Sequence, residues 1–425
     1  MGALRFTPGA GAPEELVCPP YDIISEEQRR EYLARNPRNI IRLELPREGE
    51  DPYRTAGEVL GAWLEEGILA CDASEGLYIY EERFNIRGEK LSVKGLTGRV
   101  RLEEFSAGVV LPHEETLSKA KDDRFRLMCA TGCNFSSIYS LYFDEEGQIY
   151  PRIEELSAGE PMQCFTDGEG VEHRVWRVGD PAEVRALCAA FAGKKLYIAD
   201  GHHRYETGLR YKAHLKEQGL LTGDDHPGNY IMMTLVHMEH PGLVVFPTHR
   251  IVRDLPGFDR DKLLKGCEAY FEISACPLEE AESRLAGLLR QGEKALALYT
   301  PGACSLLRLR DASVMAELLA DTSDAYRQLD VNILHILILE RMLGIDKANM
   351  ANQKNLTYTR DAAEAAAAVD GGSANCAFLL NPTLVSEIAN VAGAGEKMPQ
   401  KSTYFYPKLI TGHVMNQIIS QYELL

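Results

Sequence analysis

The stretch Leu196-Tyr197-Ile198-Ala199-Asp200-Gly201-His202-His203-Arg204 says most about the fold and the chemistry of this chain. An apolar run leads into an acid, a glycine and three potential cations, and a helix-compatible segment follows. This order predicts a buried strand, a tight loop in which Gly201 lets the backbone pass close to a ligand, and a helix. Free N–H groups at a helix start favour an anion, and His202, His203 and Arg204 add side-chain donors. We therefore predict a phosphate or carboxylate site; the alternative is a solvated loop that holds two histidines.

Composition excludes several other classes of protein. The chain has 425 residues, and 63 acidic against 46 basic side chains give a formal charge of −17. That balance opposes a broad nucleic-acid footprint, because phosphate backbones require clustered lysine and arginine. No apolar stretch approaches the roughly 20 residues that span a bilayer, and the N-terminus shows no signal pattern. We expect a cytoplasmic protein that binds neither nucleic acid nor membrane.

Strand and helix patterns alternate along the chain, which predicts an α/β fold (α+β, with a mixed sheet). Ser25 has the character of a helix N-cap, and the helix it starts is expected to end near residue 35. Residues 77–80 and 91–102 are predicted strands, joined by a hairpin-like turn at residues 87–89. Two further buried strands are predicted at residues 229–236 and 243–252.

The pattern changes near residue 255. Helices are predicted at residues 259–271 and 278–291, and an apolar-rich helix is predicted at residues 329–343. We therefore divide the chain into a portion of residues 1–254, which holds the phosphate loop, and a C-terminal α/β portion of residues 255–425. The loop of residues 393–408 is rich in lysine and hydroxyl side chains, and we predict that it completes the site. It lacks the P-loop spacing, and a polar surface loop is the alternative.

Several ordered segments resemble a bacterial and archaeal family called domain of unknown function 1015. The resemblance spans nearly the whole chain and rests on these pieces: Cys18-Pro19-Pro20-Tyr21-Asp22, His113-Glu114-Glu115-Thr116 with Asp123-Arg124, Asp200 to Arg204, Pro247-Thr248-His249-Arg250, and Met398 to Lys408. The Gly-His-His-Arg element is also similar to the nucleotide box of the ParB/sulfiredoxin superfamily. That superfamily includes sulfiredoxin, CTP-hydrolysing partition proteins and free-serine kinases. The resemblance implies a ParB/sulfiredoxin-like core, elaborated by the C-terminal portion.

The resemblance also implies phosphoryl transfer. His202 stands where sulfiredoxin has a cysteine, so sulfinic acid reduction is not expected. The family is associated with serine-biosynthesis genes, which favours a kinase that transfers a phosphoryl group from a nucleotide to a hydroxyl metabolite, free L-serine first. Mg²⁺ with ATP or ADP is the cofactor that the resemblance implies.

Residue roles follow from what phosphoryl transfer needs: cations around the phosphates and a carboxylate that orients the attacking hydroxyl. Glu114, Asp200 and His203 are the candidate catalytic residues, with Glu114 as a base or Mg²⁺ contact and Asp200 as the group that orients His203 or holds the metal. The candidate phosphate-binding residues are Gly201, His202, Arg204, His249, Arg250, Lys401, Ser402 and Thr403. The candidate substrate-binding residues are Tyr21, Asp22, His113 and Arg124.

Each assignment has a structural alternative. Asp22 can cap a turn, Arg124 can pair with Glu114 or Asp122, and His249 can be a core histidine. Two other functions stay open. A metal-dependent phosphohydrolase or nucleotidase would draw its ligands from the histidines and acids named above, although adjacent histidines normally point apart. A non-enzymatic regulator would bind a nucleotide or amino acid without turnover.

Overall fold

The computed structural model describes residues 1–114 and 118–419, with the backbone alone for residues 118–120. The Glu115 and Thr116 part of the predicted polar segment lies outside the described residues. By compactness the chain divides into two units. Unit 1 consists of the described parts of Met1–Pro112, Thr116–Leu243 and Pro407–Leu425. Unit 2 consists of the described parts of His113–Glu115 and Val244–Tyr406.

The secondary structure alternates throughout. Within the described residues the strands are β1 Leu4–Phe6, β2 Leu69–Cys71, β3 Leu77–Ile86, β4 Glu89–Arg101, β5 Val110–Leu111, β6 Cys133–Asn134, β7 Ile138–Tyr142, β8 Gln163–Thr166, β9 Glu172–Val178, β10 Leu196–Asp200, β11 Tyr230–His237, β12 Val244–Phe246, β13 His249–Val252, β14 Phe271–Ala275, β15 Ala295–Thr300, β16 Ala303–Leu309, β17 Leu356–Thr359, β18 Cys376–Leu379, β19 Tyr404–Tyr406 and β20 Asn416–Gln417.

The α-helices in the same residues are α1 Pro13–Leu16, α2 Glu26–Arg35, α3 Ile41–Glu44, α4 Pro52–Glu65, α5 Ser118–Thr131, α6 Ile149–Leu156, α7 Pro181–Phe191, α8 His202–Glu217, α9 Arg260–Cys267, α10 Leu278–Arg290, α11 Ser313–Leu318, α12 Asp324–Arg327, α13 Asp330–Ile333, α14 Lys347–Ala351, α15 Ala362–Asp370 and α16 Val385–Gly393. Short 3₁₀ helices cover Tyr21–Ile23, Phe105–Ala107 and Pro227–Asn229, and a π-helix covers Leu334–Glu340.

Unit 1 is built on a mixed sheet with the strand order β5-β10-β7-β11-β4-β3-β9-β8. β10 runs parallel to β5 and antiparallel to β7, while β7 and β11 are parallel to each other. One face of this sheet packs an apolar core that includes Ile79, Ile198 and Met233, all of them fully buried. β10, which leads into the phosphate loop, is therefore an internal strand with partners on both sides.

Unit 2 is built on an antiparallel sheet with the strand order β14-β16-β15-β18-β13-β17. Its core contains Phe271, Leu307 and Phe378, none of them exposed. β12 pairs with β19 in a separate two-stranded sheet. The predicted α/β class with a mixed sheet and a second α/β portion is thus confirmed, whereas the ParB/sulfiredoxin detail and the division at residue 254 stay predictions.

Local sequence signals set several of these elements. Ser25 caps α2, and Gln28 reaches back to the Ser25 N–H, which completes a capping box. The β3–β4 hairpin turns through Arg87 and Gly88, whose φ angles of 52° and 89° suit a type I′ turn. Both features confirm the sequence prediction, because each depends on residues within four positions of one another.

Three predicted elements were wrong in detail. Residues 243–252 form two strands instead of one, since Pro247 has no N–H to continue the ladder and β12 and β13 then pair with different partners. The helix predicted to reach residue 271 ends at Cys267, and the buried Phe271 instead opens β14. The apolar helix of residues 329–343 consists of the short α13 followed by a π-helix.

Candidate functional site

The predicted phosphate loop has the strand–glycine–helix geometry that the sequence indicated. β10 carries a bulge: Ile198 pairs with Ser140 and Asp200 with Tyr139, which leaves Ala199 as an extra residue. Gly201 follows as the N-cap of α8 with a φ of 96°, a left-handed conformation that glycine adopts without strain. The first N–H groups of the 16-residue helix α8 therefore lie directly after the acidic end of β10.

Asp200 joins two cations at this helix start. Its Oδ2 accepts a hydrogen bond of 2.8 Å from the guanidinium of Arg204, and its Oδ1 accepts one of 2.7 Å from Nζ of Lys408. Burial alone would raise the pKa of Asp200, but Lys408 and Arg204 outweigh it and hold the pKa well below its usual range. The carboxylate is therefore ionised at neutral pH, and the three side chains together carry one net positive charge.

Arg204 is fixed on its other side as well. It donates a 2.5 Å hydrogen bond to the backbone oxygen of Ser137, and only 11% of its side chain is exposed. A Cβ added to Gly201 would lie 3.0 Å from the Arg204 guanidinium. Gly201 is thus required both for its backbone conformation and for the space that Arg204 occupies.

The two histidines of the loop differ in exposure. His202 is buried, with 5% of its surface exposed, and its charge contributes to the low pKa of Asp200. His203 is half-buried. This difference follows from their adjacent positions on a helix, where neighbouring side chains point in directions about 100° apart.

A second polar group in unit 1 surrounds Arg124. Its guanidinium donates to Asp123 Oδ2 at 2.5 Å and to the backbone oxygen of Glu44 at 2.8 Å, and it lies 4.0 Å from the ring centre of Tyr21. Arg124 thus pairs with Asp123 and Glu44, where the structural alternative raised from the sequence was a pair with Glu114 or Asp122. Asp22 follows Tyr21 in the 3₁₀ helix and is exposed.

Glu44 connects this group to the phosphate loop. Its side chain is buried and accepts a 3.0 Å hydrogen bond from Ser136. Burial raises the pKa of Glu44, and the charges of Arg124 and Arg204 oppose that rise. Glu44, Arg124, Ser136 and Arg204 also line one small cavity of about 30 Å³, which has room for a few water-sized groups. The structure thus brings the predicted residues Tyr21, Arg124 and Arg204 together around a carboxylate.

The remaining predicted residues lie in unit 2, where the loop of residues 398–403 contacts the His113-Glu114 segment. Glu114 forms a parallel bridge with Met398, and its Oε1 accepts a 2.7 Å hydrogen bond from the N–H of Lys401. His113 Nε2 lies 2.9 Å from Thr403 Oγ1. The His113-Glu114 segment and the C-terminal loop are therefore in contact within unit 2, and the prediction that this loop completes the phosphate site stays a prediction.

Two further predicted residues stabilise the same loop. Ser402 donates a 2.5 Å hydrogen bond to the backbone oxygen of Pro399, and Arg250 donates one of 3.1 Å to the backbone oxygen of Lys401. Arg250 is fully buried, and burial lowers its pKa to about 10. Lys401 itself has a φ of 58°, which is unusual outside glycine.

His249 is a core side chain. None of its surface is exposed, and its Nδ1 accepts a 3.2 Å hydrogen bond from the N–H of Leu380. Burial lowers the pKa of His249 to about 4, against the opposing charge of Glu282. At neutral pH the ring is uncharged, so it does not supply the cation that the phosphate-binding assignment needs.

The predicted site residues therefore form two groups. In unit 1 they are Tyr21, Asp22, Arg124, Asp200, Gly201, His202, His203 and Arg204. In unit 2 they are His113, Glu114, His249, Arg250, Lys401, Ser402 and Thr403. That both groups serve one site stays a prediction.

Sequence reasoning missed two residues of the unit 1 group. In the sequence, Lys408 is one of several lysines in the C-terminal loop. It lies 208 positions from Asp200, so no local pattern shows that the two side chains pair. Glu44 gave no signal, since it ends a short apolar helix. A buried acid inside an apolar segment is the one feature that could have drawn attention to it.

Neither a metal centre nor a membrane span is evident in the part of the chain that the structure describes. No group of three or more His, Cys, Asp or Glu side chains there could hold a metal ion. None of the helices in that part is long and apolar enough to cross a bilayer. Both oxygens of Asp200, a candidate metal contact, already accept hydrogen bonds from cations. Mg²⁺ that accompanies a nucleotide stays a prediction, since one or two carboxylates and the phosphates themselves commonly hold it.

Comparison with known families places the chain. Residues 1–332 match the model of the family described as protein of unknown function DUF1015, so the chain belongs to that family. No curated protein matches the chain.

Several solved structures are similar over most of their length. A conserved hypothetical protein from Pyrococcus furiosus is 14% identical, with a TM-score of 0.36 over 78% of this chain and 97% of its own. A free serine kinase variant in complex with ADP is 12% identical, with a TM-score of 0.39 over 78% and 94%. SbnI with a C-terminal truncation, from Staphylococcus aureus, is 10% identical, with a TM-score of 0.36 over 77% and 92%. TM-scores of this size carry no argument on function.

Proposed function

We propose that unit 1 binds the phosphates of a nucleotide at the start of α8 and that the protein is a nucleotide-dependent kinase of a small hydroxyl metabolite. The proposal rests on one observation: Arg204 and Lys408 both donate hydrogen bonds to the Asp200 carboxylate, and this carboxylate lies at the N-terminus of the 16-residue helix α8. Helix N–H groups and two oriented cations are the donors that phosphate oxygens require. The acceptor, free L-serine, comes from the family resemblance.

Asp200 acts in this proposal as a positioning residue. Without a carboxylate between them, Arg204 and Lys408 would repel each other, and a single anion partner fixes both in place. A bound phosphate takes over part of that role, because its oxygens accept from the same cations.

His203 and Glu114 are the other two candidate catalytic residues, with Glu114 as the proposed base. His203 is half-buried beside the phosphate loop, in a position to approach a bound ligand. Glu114 is a proposed base in unit 2, where Lys401 orients one of its oxygens. Mg²⁺ that arrives with a nucleotide supplies charge neutralisation on the phosphates, and no step is assigned to it here.

Nucleotide titration tests the phosphate site. Arg204→Ala removes a guanidinium, and we expect affinity for ATP or ADP to fall about tenfold to a hundredfold, the loss of one or two charge-assisted hydrogen bonds. Arg210→Ala is the matched control, since Arg210 lies on the same helix and pairs with Asp122 at the exposed surface. The affinity of the Arg210→Ala variant for ATP or ADP should stay within about twofold of wild type.

The titration has a clear contrary result. If Arg204→Ala binds nucleotide as tightly as Arg210→Ala does, phosphates do not bind at the start of α8. Retention of the native circular dichroism spectrum by both variants ensures that a loss of affinity is not a loss of fold. Tight nucleotide binding without any turnover would instead favour a regulator, and nucleotide breakdown without a phosphorylated metabolite would favour a phosphohydrolase.

A further inference from the structure

Unit 2 contains a cavity of about 80 Å³ whose lining includes none of the predicted site residues, although it borders the C-terminal loop at Pro399 and Gln400. Its polar lining includes His335, Glu340, Lys347 and Tyr358. A water molecule needs about 10–15 Å³ measured in the same way, so the cavity has room for roughly five to eight non-hydrogen atoms. That is the size of a small metabolite.

His335 lies on the π-helix and has a polar atom to offer a ligand. π-helices are rare and frequently occur at functional sites. Only 6% of His335 is exposed, and its buried Nε2 has no hydrogen-bond partner among the residues that the structure describes. Burial, with the charges of Arg250 and Lys347, holds the pKa of His335 well below its ordinary value. The ring is therefore neutral at neutral pH and accepts or donates one hydrogen bond at Nε2.

Glu340 and Lys347 add opposite charges to the same lining. Glu340 ends the π-helix, and within the described part of the chain its buried Oε1 has no hydrogen-bond partner either. A buried carboxylate oxygen without a donor costs free energy that a cationic ligand group would recover. Lys347 opens α14 and is exposed, so its ammonium can turn toward a ligand at the mouth of the cavity.

We propose that this cavity binds a small zwitterionic α-amino acid. Glu340 receives the ligand ammonium, Lys347 receives the ligand carboxylate, and His335 contacts the remaining polar surface. Amino acids from glycine to threonine have five to eight non-hydrogen atoms, which is the number the cavity can hold. The site goes beyond the proposed kinase activity, because it uses no residue of the phosphate loop and needs no nucleotide.

Calorimetric titration of the full chain with L-alanine, in the absence of nucleotide, tests the proposal. L-Alanine has no hydroxyl group, so it cannot act as a phosphoryl acceptor. We expect saturable binding that Glu340→Gln and Lys347→Met each weaken about tenfold or more, since each removes a charge-assisted hydrogen bond. Lys354→Met, which removes another exposed lysine from the same unit, should bind within about twofold of wild type.

Three results would overturn the proposal: no saturation by L-alanine at millimolar concentrations, unchanged affinity in both Glu340→Gln and Lys347→Met, or equal affinity for acetate and L-alanine. The last would show that the site binds a carboxylate alone. Lys347→Met keeps the test valid should Glu340→Gln fail to fold, because Lys347 is exposed. Nucleotide binding is absent from this experiment, so its outcome is separate from that of the Arg204 test.

Discussion

Asp200→Asn is the perturbation that most sharply tests the geometry of the phosphate loop. The substitution keeps the shape of the side chain but removes the charge that Arg204 and Lys408 share. These two cations are only 11% and 13% exposed, so each loses its anion in a mostly desolvated setting. Removing one partner of a buried ion pair costs about 3–5 kcal/mol. We take about 3 kcal/mol, since Asp200 itself is 21% exposed.

Thermal unfolding converts this cost into a measurable shift. Unit 1 has about 260 residues, and 1 kcal/mol lowers the Tm of a domain near that size by about 2–4 °C. Asp200→Asn should therefore lower the unit 1 transition by about 6–12 °C in the absence of ligand. Asp224→Asn is the control, because Asp224 is 94% exposed and 3.9 Å from Arg101; its Tm should change by about 1–2 °C at most.

Nucleotide then distinguishes a phosphate site from a purely structural ion cluster. In Asp200→Asn a bound phosphate neutralises cations that have no other anion, so saturating ATP or ADP should raise the Tm of the variant more than that of wild type. A Tm equal to that of Asp224→Asn would refute the ion cluster. A ligand-induced rise no larger than in wild type would refute phosphate binding by Arg204 and Lys408.

Three further substitutions test other parts of the account. Gly201→Ala places a side chain at a φ of 96° and a Cβ 3.0 Å from the Arg204 guanidinium. Nucleotide affinity measured by calorimetry should therefore fall about tenfold. Unchanged affinity would contradict the close approach of Arg204 to Gly201. Glu114→Gln removes the carboxylate but keeps an oxygen that can accept the hydrogen bond from the Lys401 N–H. If Glu114 is the base, kcat should fall about a hundredfold with little change in KM. Full turnover in this variant would rule that role out. Burial raises the pKa of Glu82 from 4.5 to about 7, because the folded state favours the neutral carboxyl group. Below pH 4.5 the side chain is neutral in both the folded and the unfolded state, so Glu82 costs no stability there. As pH rises to 7, ionisation favours the unfolded state and lowers the free energy of unfolding by about 3 kcal/mol. Glu82→Gln should remove that fall in denaturant titrations at pH 5 and pH 7.5, and an identical pH dependence in wild type and variant would show that Glu82 ionises normally.

Features that depend on neighbouring residues were predictable from the sequence. The capping box at Ser25, the hairpin at Arg87-Gly88 and the strand–glycine–helix loop at Gly201 each result from side chains a few positions apart. The apolar run before Asp200 correctly indicated an internal strand. These signals indicated the fold class and located the strand–glycine–helix loop for which we propose phosphate binding.

Features that depend on distant residues were not predictable. One partner of Asp200 is Lys408, which follows β19 near the end of the chain. Only the tertiary fold brings these two side chains together. Glu44 reaches Arg124 in the same way. The π-helix with His335 was read as an ordinary helix, because apolar periodicity does not distinguish a 3.6-residue turn from a wider one.

Phosphorus NMR of the purified protein with Mg²⁺ and ATP or ADP, with and without L-serine, tests the central claim most directly. The account predicts a new phosphomonoester signal that requires both nucleotide and L-serine, and that is lost in Arg204→Ala but kept in Arg210→Ala. Nucleotide breakdown without that signal, or a spectrum that L-serine leaves unchanged, would contradict the assignment as a serine kinase.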